Sequence, residues 1–99
     1  MPAKKVNWSE PAKEQYLAAV EYILNNSVQN AENFVKKLYD KLQKASLFPK
    51  ASPPDKFKIN NDGAFRAFTL FEYRISYEIQ ERSIKVLRCR HMKMKIKYY

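Results

Sequence analysis

The side chains with most chemistry to offer lie in the last third of the chain. Arg66, Arg74, Arg88 and Arg90 recur along stretches of alternating pattern, and His91 follows directly. Lys93, Lys95 and Lys97 then lead into Tyr98 and Tyr99. Such a set suits cleavage of a phosphodiester without a metal. That step needs a base for the 2′-hydroxyl proton, cations for the charge building on phosphate, and an acid for the leaving oxygen. Arginine suits only the second task, because its pKa keeps it charged. A lysine serves as base where neighbouring cations or burial lower its pKa, and a tyrosine can act as acid. His91, the single histidine, reads either as an acid or base or as a hydrogen-bonded residue at a strand end. One cysteine, Cys89, and one histidine give no metal-ligand spacing and no internal disulfide. No metal and no cofactor are expected, and Cys89 reads as a small buried filler.

With 99 residues the chain fits a single domain, long enough for one modest core and too short for a second. Hydrophobic residues at 45% and aromatic ones at 14% predict a folded protein rather than a disordered one. Nineteen Lys and Arg stand against ten Asp and Glu, a net charge of +9. A field of that sign gathers polyanions: RNA, DNA, a ribosome surface or an acidic protein. Small proteins are often basic without touching nucleic acid, so the clustering of the cations matters more than their total. No apolar leader follows Met1-Pro2-Ala3-Lys4-Lys5, and no stretch approaches the length of a membrane span. The expected setting is the bacterial cytoplasm, with no membrane association.

The elements that must position these residues are set by periodicity. Lys4 to Trp8 suits a short strand. Ser9 then stands where a helix N-cap belongs, with Glu10-Pro11 in the first turn. Tyr16, Ala19, Val20, Ile23 and Leu24 share one helical face. Asn25-Asn26-Ser27 ends that helix, and Ser27 can cap the next, from about Val28 to Ala45. Its stripe is Ala31, Phe34, Val35, Leu38, Leu42 and Ala45, and so short a joint makes the two helices an antiparallel hairpin. Lys50 to Pro54 reads as loop, and Lys56, Phe57, Lys58 and Ile59 alternate as a short edge strand would. After Gly63 the period becomes two. Phe65 to Leu70, Tyr73 to Ile79 and a run from Ile84 form an antiparallel meander. A two-residue Glu81-Arg82 loop sets Ile79 opposite Ile84 and Tyr77 opposite Val86. Strict alternation then puts Arg88 and Arg90 on the side of Ile84 and Val86, and Leu87 and Cys89 on the side of Arg74; a bulge is the device that would correct this. The expected class is α+β, in the order β-α-α-β-β-β, with a helical hairpin on one face of a three- to four-stranded sheet.

These residues resemble the RelE/ParE toxin superfamily over nearly the whole chain, from about Val6 to Tyr99. Val6-Asn7-Trp8-Ser9, Ala12 and Tyr22-Ile23 are similar to its opening strand, "WS" turn and "YI" pair. Ala31, Phe34 and the closing Phe48-Pro49 fit as well. Phe65-Arg66 followed by Tyr73-Arg74-Ile75-Ser76-Tyr77 resembles the "R…YRI.Y" strand pair, and Val86-Leu87-Arg88-Cys89-Arg90-His91 resembles its last strand. The resemblance implies a toxin of a type II toxin–antitoxin system, held in a hetero-oligomer by a cognate antitoxin whose binding segment is acidic. RelE-like members cut messenger RNA on the ribosome; ParE-like members block DNA gyrase and are not nucleases.

Carried over from RelE-like toxins, Arg74 falls on the arginine that contacts the scissile phosphate. Lys93 and Tyr99 fall near a tail arginine and a base-stacking tyrosine, and Lys56 and Lys58 near the preceding lysines. The leading expectation is a metal-independent endoribonuclease: Arg74 and Arg66 steady the phosphate, Lys93 or His91 moves protons, and Tyr99 orients a base. Arg88, Arg90 and Lys95 add substrate or antitoxin contacts. Other readings stand beside these. Arg74 can be a solvated strand residue paired with Glu78 or another acid, the arginines scattered surface charge, and the tail a disordered terminus. A lysine replaces the family's tail arginine, no Glu or His fills the middle loop, and the long helical hairpin looks ParE-like. A non-enzymatic gyrase inhibitor is therefore the alternative, followed by a degenerate toxin that only binds its antitoxin.

Overall fold

Two serines start the helices. In the computed structural model, which describes residues 3–99, Ser9 Oγ accepts from the Ala12 amide at 3.1 Å and Ser27 Oγ from the Asn30 amide at 3.1 Å. Each satisfies one donor that a helix start leaves open. Helix α1 spans Glu10–Asn26 and α2 spans Val28–Leu47. From α2, Ala31, Phe34, Leu38, Leu42 and Ala45 are buried as their spacing predicts, while Val35 and Leu24 stay exposed. Met1 and Pro2, the start of the stretch read for a leader, lie outside the described residues. Among the described residues no helix is long and apolar enough to cross a membrane.

The sheet holds β1 (Lys5–Trp8), β2 (Phe65–Leu70), β3 (Tyr73–Ile79) and β4 (Ser83–His91) in the order β1-β4-β3-β2. Strands β2, β3 and β4 form the expected antiparallel meander, and β1 lies parallel to β4, so the sheet is mixed. Ile79 faces Ile84 and Tyr77 faces Val86 across the Glu81-Arg82 turn. The α+β order β-α-α-β-β-β is as the periodicity predicts. The edge strand expected at Lys56–Ile59 is absent; those residues form turns, pinned by Asn61. Asn61 Nδ2 donates to the Asp55 and Phe65 carbonyls, and its Oδ1 accepts from the Gly63 and Phe65 amides. Gly63, at φ +102°, takes a backbone conformation that side chains disfavour.

The register slips by one residue between Ser76 and Tyr77 of β3, where Ser76 pairs with Arg88 and Tyr77 with Val86. Leu87 is thus the extra residue of a β-bulge. Beyond it every side chain of β4 changes face. Cys89 joins Ile84 and Val86 in the core, while Arg88 and Arg90 turn to the outer face, correcting their expected place beside Ile84. The bulge's backbone groups are met by α1: Ser9 N–H donates to the Val86 carbonyl, Ser9 Oγ to the Leu87 carbonyl, and the Cys89 amide to Gln15 Oε1. The helices cover the inner face, where Phe34 packs 5.4 Å from Tyr73 between ring centroids. Tyr77, fully buried, donates its hydroxyl to the Pro49 carbonyl at 2.6 Å.

Candidate functional site: a strapped cationic sheet face

Three of the four candidate arginines, Arg74, Arg88 and Arg90, meet on the outer face. Arg74 of β3 pairs with Arg90 of β4, and Ser76 with Arg88, so cations alternate across two central strands. Arg66 is not among them. It pairs with Tyr77 on the inner-face side of edge strand β2, and β3 separates it from Arg88 and Arg90. Its Nε donates to the Gly63 carbonyl at 2.8 Å and its NH1 to the Ser52 carbonyl at 3.2 Å, which ties down the loop.

Asp55, which sequence reasoning passed over, sits under this face. It is the one acid between Asp40 and Asp62, set among Lys50, Lys56 and Lys58, and that isolation was the available signal. Only 2% exposed, it accepts from Arg74 NH2 at 2.9 Å, the Phe57 amide at 3.0 Å and the Tyr99 hydroxyl at 2.6 Å. Burial pushes its carboxyl pKa up. The hydrogen bonds from Tyr99, Arg74, Phe57 and Ser76 outweigh burial and leave it below the ordinary carboxylate value. Arg74 therefore has an acid partner, though not Glu78. Its guanidinium also lies 4.9 Å from the Phe57 ring centroid, and its Nε is buried without a partner, as is that of Arg90.

The residues after β4 fold back across this face. Met92 N–H donates to the Glu72 carbonyl and Met94 N–H to that of His91, turning the chain. Tyr99 then bridges the 55–59 turn, its amide donating to the Phe57 carbonyl and its carbonyl accepting from the Ile59 amide. The Tyr99 ring lies edge-on to Phe65, 4.7 Å from the Arg88 guanidinium and 5.5 Å from Lys58 Nζ. Burial, then its bond to Asp55, pushes the Tyr99 phenol well above its ordinary pKa, so its proton stays on. Burial and neighbouring Arg90 lower the Arg88 pKa, yet an arginine remains charged.

The other candidates disperse. His91 faces inward, edge-on to Tyr73 at 4.9 Å, with Nε2 3.5 Å from Glu72 and Nδ1 accepting from the Lys93 amide. It is a hydrogen-bonded strand-end residue on the face away from Arg74. Lys93, Lys95 and Lys56 are exposed, and Lys56 Nζ lies over Phe57. Lys58 packs 4.6 Å from the Phe65 ring, beside Tyr99. The outer face thus brings together Arg74, Arg88, Arg90, Lys58 and Tyr99, and leaves Arg66 and His91 on the other side. Among the described residues no group of His, Cys, Asp or Glu could hold a metal.

A second surface lies on the helical side. A groove of about 480 Å³ runs between α1 and the stretch of β4 that β1 leaves uncovered. Ala18, Ala19, Tyr22, Tyr73 and Met94 line it, with Arg90, His91 and Lys93 along one side.

A family model described as the ParE toxin of the type II toxin–antitoxin system parDE matches residues 6–96. A chain of the solved chromosomal ParDE toxin–antitoxin system from P. aeruginosa is similar in fold, with a TM-score of 0.69 at 14% identity. That match covers 92% of this chain and 98% of the other. No curated protein matches the sequence significantly.

Proposed function

Because the chain belongs to the ParE toxin family of type II toxin–antitoxin systems, we propose that it arrests growth by binding DNA gyrase, without catalysing a reaction. The observation that carries this over messenger RNA cleavage is the closed state of the arginine face. Arg74 is neutralised by Asp55, and the Tyr99 proton is committed to the same carboxylate. His91, the side chain best suited to move protons near pH 7, lies on the opposite face beside Tyr73. A metal-free nuclease needs base, cation and acid free around one phosphate; here Asp55 engages both Arg74 and Tyr99, and His91 is on the other face.

The groove between α1 and β4 suits the antitoxin. Its walls are apolar, and Lys93 beside His91 favours an acidic segment with apolar anchors. A neutralised toxin then exists as a hetero-oligomer with that partner, in the bacterial cytoplasm.

Induction in cells, followed by parallel mapping of transcripts and of gyrase-linked DNA breaks, tests the reading. Intact messenger RNA with trapped gyrase is expected, together with inhibited supercoiling by purified gyrase. Cuts inside codons that vanish in an Arg74→Ala variant would establish the RelE-like nuclease instead. Unslowed growth on expression would leave only antitoxin binding.

A further inference from the structure

The sheet has two edges, β2 and β1, and among the described residues the chain lies along only the first. Beside β2 the Asp55 amide donates to the Phe65 carbonyl, and the Ala67 amide to the Pro53 carbonyl. At β1 the Lys5 and Ser9 amides turn inward, to the Arg82 and Val86 carbonyls. Backbone groups alternate in direction along a strand, so the amides and carbonyls of Val6 and Trp8 point to the open edge. Such an edge is a template for another strand.

A groove of about 490 Å³ adjoins it on the helical side. Strand β1 and helix α1 contribute Val6, Trp8 and Tyr16, and α2 contributes Val35, Tyr39 and Leu42. Charge is scarce here. Lys13, at the rim, lies 3.2 Å from Glu10, and Lys4 Nζ is held by the Gln80 and Glu81 carbonyls. Lys5 stands with Asn7 on the other face of the strand, both exposed. An acidic segment finds no unpaired cation in this groove, whereas an apolar surface finds aromatic rings.

The edge is also complementary to itself. With a two-fold axis through Asn7, perpendicular to the sheet, Val6 of one copy falls opposite Trp8 of the other. Each such pair exchanges both of its backbone bonds. Lys5 falls opposite Ser9, so no like charges meet across the junction, and the two Asn7 amides lie within reach of each other. Helix α2 runs back along β1: the Lys4 amide donates to the Ser46 carbonyl, and Val35 shares the groove with Trp8. The same axis sets α2 antiparallel to its copy, with the exposed Tyr39 near the axis to cover the facing groove.

We infer that the β1 edge and its groove form an interface between two copies of this chain, joined into one continuous sheet. This goes beyond the gyrase reading and does not rest on it. The groove assigned to the antitoxin uses no residue of β1 or α2. Each copy carries +9, so long-range repulsion opposes the pairing and salt strengthens it, the reverse of binding to an acidic partner.

Sedimentation equilibrium of the full chain in low and high salt measures the pairing, and hydrogen exchange at the Val6 and Trp8 amides locates it. Raising salt should tighten the dimer about tenfold. Both amides should be protected when concentrated and lose protection on dilution. Val6→Pro removes the outward amide at a position where an edge strand tolerates proline, and should weaken the dimer about thirtyfold, two bonds being lost by symmetry. Tyr39→Lys should weaken it too, by placing like charges near the axis. Slow exchange at the Ser9 amide reports intact β1–β4 pairing; should Val6→Pro lose it, Tyr39→Lys carries the test. A chain that stays monomeric in high salt would overturn the inference, as would a dimer whose Val6 and Trp8 amides exchange freely or that ignores Tyr39→Lys. Protection that appears only with an added alternating Glu-Val peptide would give the edge to an acidic strand instead.

Discussion

Asp55 governs more of the outer face than any arginine on it. Its carboxylate, nearly out of solvent, binds a guanidinium and a phenol at once. Replacing it with asparagine leaves Arg74 without its counter-charge, and removing one partner of a buried pair costs about 3 kcal/mol. The pH dependence has a fixed sign. Asp55 titrates below its ordinary value of 3.8 in the folded chain, so the unfolded chain binds the proton first as pH falls. The stabilisation is therefore complete above the ordinary value and disappears as pH drops through the lowered one. Urea unfolding of the parent and Asp55→Asn between pH 7 and 2.5 checks this, the gap narrowing below about 4. A gap that stays constant would show that the carboxylate's charge is irrelevant.

The elements differ in how openly the sequence declares them. Ser9 and Ser27 announced their helices, because a cap is a local interaction and needs only residues three positions on. The Glu81-Arg82 turn was equally plain, since a two-residue loop there sets Ile79 against Ile84 and Tyr77 against Val86. The Leu87 bulge was visible only as a contradiction. Val86-Leu87-Arg88-Cys89-Arg90 alternates as if no residue were extra, and the bulge depends on Ser9 and Gln15, more than 70 residues away. The β2–β3 turn hides a different conflict. Phe71 and Glu72 both take positive φ, 48° and 65°, in a two-residue hairpin where Asn-Gly would be expected. Phe71 has a reason to stay, packing 5.9 Å from Phe34 under Lys37. The Glu72 side chain, two-thirds exposed, has only a loose contact with His91. Glu72→Gly is expected to raise stability by about 0.5–1 kcal/mol, read as a higher urea midpoint with an unchanged slope. A lower midpoint would mean that the His91 contact outweighs the backbone strain.

Charge and shape divide the protein into two working sides. The net charge of +9 was plain from composition, but its placement was not. Local alternation could not reveal that a basic tail would return to cover basic strands, or that β1 would join the sheet in parallel. Those outcomes rest on contacts between distant residues, Tyr99 with Asp55 and Lys5 with Ser83. The long-range field has its own consequence for assembly. Encounter with an acidic antitoxin should be fast at low salt and slow steeply as salt rises from 50 to 500 mM, whereas dissociation changes little. Stopped-flow mixing measures both, and an association rate indifferent to salt would remove charge steering from the account.

The parallel pairing of β1 with β4 also bears on how a newborn copy comes to life. Strand β1 has no sheet neighbour until β4 is made, 78 positions later. Before then the helices have only a lone two-stranded ribbon to rest on, which is marginal in water. A chain cut short before Ser83 lacks the strand that joins β1 to β3 and cannot assemble this architecture. Such a design completes the sheet only after β4 has been made.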